Sequence, residues 1–354
     1  MRTPVVLITG VNPDPMAAVA LGLQWDLPNA VVVHHRIDVA EQVLHRVVSD
    51  VSGVLEQEQV HLEHACVTCA IREDVIPTLE RCARDGRWKT VLVHLPVGAE
   101  ADQVCAVVAR DTRLGRHLRI SRVIAALDGA GLHDDLLGDD LLRERDLHSA
   151  VDDTRGVGEV ACAQVEFADL VVASDPAGEA GVDLVRALAR PDAELVVGTE
   201  RLDGATVVDG EHGYERAVAW IAPTRAEELP APASPVVWRQ ELFSPRAFHP
   251  ERLLDGLEQL ASGEFRSRGC FWLPTRPGQV LVWDGSGGQL CIGNGESWGR
   301  RMPFTRLVLT GLGEPPQLDD AFDELLLGPD LEGRSWSLVE DGFEPWLGQI
   351  RDIA

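Results

Sequence analysis

The sequence predicts a doubly wound, mostly parallel α/β domain followed by a smaller α+β domain, and three observations carry that expectation. Near-continuous β-branched runs alternate with helical stretches through the first two hundred residues. A proline- and alanine-rich segment without periodicity then interrupts the chain, and beyond it come short strands separated by glycine turns.

Taken in order, "PVVLITG" (Pro4 to Gly10), "AVVVHH" (Ala30 to His35), "TVLVHLP" (Thr90 to Pro96), "RVIAALD" (Arg122 to Asp128), "ADLVVAS" (Ala168 to Ser174) and "AELVVGT" (Ala193 to Thr199) read as strands. Being apolar on both faces, they suit a parallel sheet covered on both sides. "DVIPTLERCARDGR" (Asp74 to Arg87) spaces its apolar residues as a helix does. The first domain is expected over 1–221, a connector over 222–235 ("APTRAEELPAPASP"), and the second domain over 236–354.

Composition narrows the function. The 45% hydrophobic and 25% charged fractions are those of a soluble globular protein. No apolar run approaches the roughly 20 residues of a membrane span, and the opening run is broken by Gly10 and Pro13 before it could be a secretory signal. A cytoplasmic location with reduced thiols is expected for the seven cysteines; Cys82, Cys105, Cys162, Cys270 and Cys291 read as small core residues. The net charge of −25 opposes direct binding to nucleic acid or an anionic membrane, and favours a protein partner with a basic surface.

A strand running into Gly10 and then a helix is where a phosphate loop would sit. The pattern G-x-x-x-x-G-K-[ST] uses its second glycine for close backbone approach, its lysine for the β and γ phosphates and its hydroxyl for Mg²⁺. Laid on Gly10, it meets Asn12 and Asp14 inside the loop, Pro15 for the glycine, Met16 for the lysine and Ala17 for the hydroxyl. Pro13 and Pro15 remove two N–H donors, and the chain's one lysine is Lys89. Binding of GTP with Mg²⁺ is not expected at Gly10, Asn12, Asp14, Met16 and Ala17.

The second feature is "LEHACVTCAIRED" (Leu62 to Asp74). A C-x-x-C pair lets Cys66 and Cys69 reach one tetrahedral Zn²⁺, with Glu63, His64, His34 and His35 as further ligand candidates. Three readings of the pair stay open on spacing alone: metal binding, a dithiol redox switch, and plain packing. His94 ends a strand and is a lesser candidate; His249 reads as a structural residue at a helix start.

These features resemble the CobW-type P-loop GTPases, a family associated with metal insertion and zinc homeostasis. Its C-x-C-C and R-x-D elements correspond here to Cys66, Thr68 and Cys69, then Arg72 and Asp74. "RAFHPERL" supplies Arg246, Phe248, His249, Pro250, Arg252 and Leu253 of the C-terminal motif, with Ala247 in place of a proline; Arg266, Arg268, Gly269 and Trp272 answer to R-x-K-G-x-x-W, and "DGFEPW" (Asp341 to Trp346) resembles the terminal acidic-aromatic segment. The resemblance implies a P-loop-NTPase-like domain with a CobW C-terminal domain, and zinc as the metal. The family's guanine-reading N-K-x-D is replaced by Ala173, Ser174, Asp175 and Pro176, and its acidic switch by His94, Leu95, Pro96 and Val97, with Gly98 one place late. Losing charge stabilisation and base reading together implies a pseudo-GTPase acting as a zinc-responsive adaptor. Within the family, such degenerate members resemble the factor that recruits a hibernation factor to the small ribosomal subunit in zinc shortage. The alternatives are a GTP-dependent zinc or cobalt metallochaperone and a dithiol redox-sensing scaffold.

Overall fold

A computed structural model describes residues 2–62, 64, 66–225, 227–328, 336 and 340–350. The chain divides into two units, one of residues 1–135 and 140–221, the other of 136–139 and 222–354.

The first unit is built on eight strands: β1 (Thr3–Thr9), β2 (Ala30–Asp38), β3 (Val43–Asp50), β4 (Gly53–His61), β5 (Thr90–His94), β6 (Leu118–Leu127), β7 (Leu170–Ala173) and β8 (Glu194–Val197). Their order is β4-β3-β2-β5-β1-β6-β7-β8. From β2 through β8 the neighbours are parallel, while β3 and β4 add an antiparallel hairpin at one edge. Helices α1 (Pro13–Asp26), α2 (Val67–Ala70), α3 (Ile76–Asp85), α4 (Ala101–Arg110), α5 (Leu132–Leu137), α6 (Val157–Phe167), α7 (Glu179–Leu188), α8 (Gly204–Asp209) and α9 (Tyr214–Ile221) supply the crossovers and flanks.

Each central strand is apolar throughout because successive side chains enter different cores. On β2, Val31 and Val33 join Ile71, Val75 and Leu79 under α2 and α3, whereas Ala30 and Val32 join Met16, Val19 and Leu23 under α1. This alternation decides which side of the sheet each candidate site residue occupies.

The expected strands are all present. The hairpin of β3 and β4 is an addition, and β2 continues to Asp38, which places His34 and His35 within the strand rather than at its end.

The second unit holds an antiparallel sheet of order β12-β11-β10-β13-β9, made of β9 (Val237–Ser244), β10 (Phe265–Phe271), β11 (Gln279–Ser286), β12 (Gln289–Ser297) and β13 (Thr305–Leu312). Helices α10 (Pro250–Ala261), α11 (Asp319–Leu325) and α12 (Glu344–Leu347) accompany it. Phe248 is fully buried against Phe271 and Phe322, Arg246 pairs with Asp323 at 2.7 Å, and His249 stands at the N-cap of α10 with Pro250 next. The His249 side chain does not cap the helix; its ring meets Trp336 edge-on at 5.2 Å. Asp341 of "DGFEPW" accepts from Arg276 Nε at 2.8 Å and Thr275 Oγ1 at 2.7 Å, anchoring that segment. One cysteine departs from expectation: Cys291, on the edge strand β12, is exposed.

Candidate functional site

Three features mark the phosphate-loop position. First, β1 ends at Thr9 and α1 begins at Pro13, so only Gly10, Val11 and Asn12 lie between them. A phosphate cradle needs a longer run of backbone N–H groups, and Pro13 and Pro15 contribute none. Second, Met16 is fully buried and fills the space beside Gly10: a Cβ there would stand 2.8 Å from Met16 Cγ and 2.6 Å from the Ala126 carbonyl. Third, Asn12 Nδ2 donates to Asp135 Oδ2 at 2.6 Å, and Arg145 holds the other Asp135 oxygen. Burial raises the Asp135 carboxyl even against Arg145. Asp14, exposed in the first turn of α1, puts a negative charge where an incoming phosphate would need a positive one.

The switch position is tied to this shortened loop. Gly98 N donates to Gly10 O at 2.9 Å, Leu95 N to Ile8 O at 3.0 Å, and Thr9 Oγ1 to Ala99 O. From the other side, Arg155 NH1 donates to Gly98 O and Gln164 Nε2 to Ala99 O, both at 2.9 Å. Gly98 adopts φ +71°, a conformation that favours glycine. At the base-reading position, Ser174 Oγ donates to Asp128 Oδ1 at 3.1 Å and accepts from Gly129 N at 2.9 Å. Asp175 and Pro176 are exposed.

His34 and His94 meet edge-on, ring centroids 4.2 Å apart, on adjacent paired strands. His94 Nδ1 contacts Leu95 O at 2.9 Å. Burial first, then His34, lowers the His94 pKa from 6.5 to about 4; His34 is lowered chiefly by burial. A ring uncharged in the folded state but protonated in the unfolded chain weakens folding as pH falls from 6.5 toward 4, because over that window the unfolded chain binds the extra proton. The loss should reach about 3 kcal/mol by pH 4. Urea unfolding across that range should show a slope that His94→Asn flattens.

Cys66 occupies the N-cap of α2, where its Sγ accepts from Cys69 N at 3.3 Å. Cys66 is half-buried and Cys69 buried, packed with Leu44, Leu62 and Ala70. The Cys69 thiol is raised by its hydrogen bond with Cys66 and then by burial. Arg72 NH2 lies 4.0 Å from Cys69 Sγ. The turn after α2 widens into a π-helix (Ile71–Val75), and this aims Asp74 inward. There Asp74 Oδ1 accepts from His35 Nε2 at 2.9 Å, while Oδ2 receives Arg46.

The sequence candidates therefore separate. His35 lies on the cysteine side of the sheet but its Nε2 is committed to Asp74, and its Nδ1 is buried without a hydrogen-bond partner among the described residues. His34 points to the α1 side with Val32. His64 is exposed, and its carbonyl accepts from Cys66 N. Glu63 lies outside the described residues. Two adjacent thiols with one exposed flank can supply half of a tetrahedral zinc shell, which fits the metal in part. The Arg46–Asp74–His35 network was not foreseen; only the R-x-D spacing hinted at Asp74.

Comparison with known proteins follows the same division. Residues 31–185 match the CobW/HypB/UreG nucleotide-binding domain, starting beyond the phosphate-loop position, and residues 239–326 match the cobalamin synthesis protein cobW C-terminal domain. Zinc chaperone Rv0106 of Mycobacterium tuberculosis is 30% identical over 326 residues, covering 88% of this chain and 78% of that protein. The chain belongs to the CobW family. Zinc-regulated GTPase metalloprotein activator 1 of Dictyostelium discoideum is 20% identical over 258 residues, 68% of this CobW chain and 54% of that protein. The Zn(II)-bound YjiA GTPase of E. coli aligns over 93% of the CobW chain and 100% of its own, with 14% identity and a TM-score of 0.38.

Proposed function

We propose that this CobW-family protein is a zinc-responsive adaptor that neither needs nor hydrolyses GTP. The observation that carries this reading is the direct hydrogen bond from Gly98 N to Gly10 O across a loop of three residues, with Met16 filling the space behind it. Nucleotide-driven switching requires the switch segment to be held away from the loop by a phosphate and its metal; here the two are joined. Zinc is held by Cys66 and Cys69, with the rest of its shell from solvent or a partner, so that it exchanges. The partner is a protein with a basic surface, in keeping with the charge of −25. In its narrowest form, the adaptor recruits a hibernation factor to the small ribosomal subunit when zinc is scarce.

The names of the curated relatives, a zinc chaperone and a zinc-regulated GTPase metalloprotein activator, support the involvement of zinc and favour a second reading, a GTP-dependent zinc chaperone. Calorimetry separates the two. Wild type should bind about one zinc per chain, Cys66→Ser/Cys69→Ser should weaken that at least ten-fold, and GTP with Mg²⁺ should give no binding heat. Tight GTP binding would restore the chaperone reading; zinc binding indifferent to the cysteines would end the adaptor reading in this form.

A further inference from the structure

We propose that the outer face of α1 docks a basic amphipathic helix of a protein partner, with Leu21 and Trp25 as the apolar anchors. The inference rests on the reading above for the charge of the partner, and it names the surface that meets it.

α1 is apolar on every side. Pro15, Met16, Val19, Ala20 and Leu23 are buried beneath it. The side turned to solvent carries Ala17, Leu21 and Trp25 at intervals of four residues, and between Asp14 and Asp26 the helix has no charged residue. A helix of that composition is ordinarily enclosed. Here Leu21 is 65% and Trp25 88% exposed, Trp25 being the most exposed large hydrophobic side chain among the described residues. An indole offers about 200 Å² of contact area, and tryptophan is the residue type most often found anchoring interfaces. Leu21 and Trp25, one turn apart, form a ridge against which a second helix can pack.

The surroundings of the ridge select its occupant. Asp14 lies two turns before Leu21 on the same side, and Asp26 follows Trp25. The turn Thr199–Arg201 runs beside the helix: a Cβ on Gly22 would stand 3.9 Å from the Thr199 carbonyl oxygen, and Glu200 follows with its side chain exposed. Asp26 Oδ2 accepts from Gly204 N at 3.2 Å, which brings the exposed Asp203 to the C-terminal end of α1. Within these two segments four carboxylates meet a single guanidinium, that of Arg201, itself 3.7 Å from Glu200. A second copy of the chain is a poor occupant, since a two-fold contact would set the same carboxylates against themselves. Lysine and arginine flanking an apolar stripe complement them, and their long stems cover apolar surface as well.

The test uses the full chain and a dye-labelled synthetic helix of about five turns, leucine along one face and lysine on its borders, followed by fluorescence anisotropy. The lysine helix should bind at least ten-fold more tightly than the same helix with glutamate for lysine, and more weakly as salt is raised. Leu21→Ala/Trp25→Ala should weaken binding at least ten-fold with the unfolding midpoint in place, and Asp26→Asn/Glu200→Gln should flatten the salt dependence. Binding indifferent to Leu21 and Trp25, or equal for the two helices, would overturn the proposal. So would sedimentation showing a wild-type dimer that Leu21→Ala/Trp25→Ala makes monomeric, which would give the face to a second copy. The measurement needs neither zinc nor GTP, so its failure leaves the zinc reading standing, and loss of zinc binding leaves this one.

Discussion

Asp74→Ala is expected to destabilise the first unit by about 1–3 kcal/mol, the cost of leaving a buried polar group without its hydrogen-bond partner. The carboxylate is 4% exposed and sits between His35 and Arg46, with Thr78 Oγ1 a further donor at 3.4 Å. Removing it leaves both ring nitrogens of His35 unpaired and leaves Arg46 to Glu58, Glu56 and the Thr78 hydroxyl. Asp74→Asn should cost less and change the pH response. Burial alone would raise the Asp74 carboxyl, but His35 and then Arg46 hold it below the ordinary carboxylate value. Its contribution is thus present above pH about 4 and lost as pH falls through the lower folded value. Urea unfolding of wild type should lose this contribution in acid, and that of Asp74→Asn should not. An Asp74→Ala chain as stable as wild type would show that the network holds nothing together.

Met16→Lys with Ala17→Thr restores the letters of a phosphate loop, and is expected to fail as one. Met16 is fully buried among Ile8, Val19, Leu23 and Ile124. A lysine there is an unpaired charge in an apolar core, expected to cost about 3–5 kcal/mol, and Met16→Leu under about 1.5 kcal/mol. GTP affinity should not appear, because Gly10 to Asn12 is too short for a cradle and Pro13 and Pro15 offer no N–H groups. Calorimetry with GTP and Mg²⁺ decides it: binding by the double variant would mean that the loop reopens once given a lysine.

The parallel sheet was legible in the sequence because its strands are buried on both faces and read as unbroken apolar runs. The β3–β4 hairpin was not, since β4 ("GVLEQEQVH") is an exposed edge whose Glu56 and Glu58 are engaged by Arg81 and Arg46 rather than by a hydrophobic core. The missing lysine and hydroxyl were plain from the text; that Met16 would occupy the vacated space was not, because packing joins residues distant in sequence. His34 and His35 show the limit most clearly. Adjacent letters read as one ligand pair, yet the two-residue period of a strand sends one to His94 and the other to Asp74. Which His could serve the cysteines was answerable from the alternation of Ala30 to Val33, had the register been known.

The bond between Gly98 and Gly10 also bears on time. A GTPase leaves its active state when a chemical bond breaks, so its dwell is metered by catalysis and its cycle runs one way. On the reading proposed above, an adaptor whose loop and switch are already joined would have no such clock. Its state would follow the free zinc concentration in both directions, settling as fast as the metal leaves the two thiolates, and it would consume nothing while it waits. Such a protein would behave as a gauge rather than a timer.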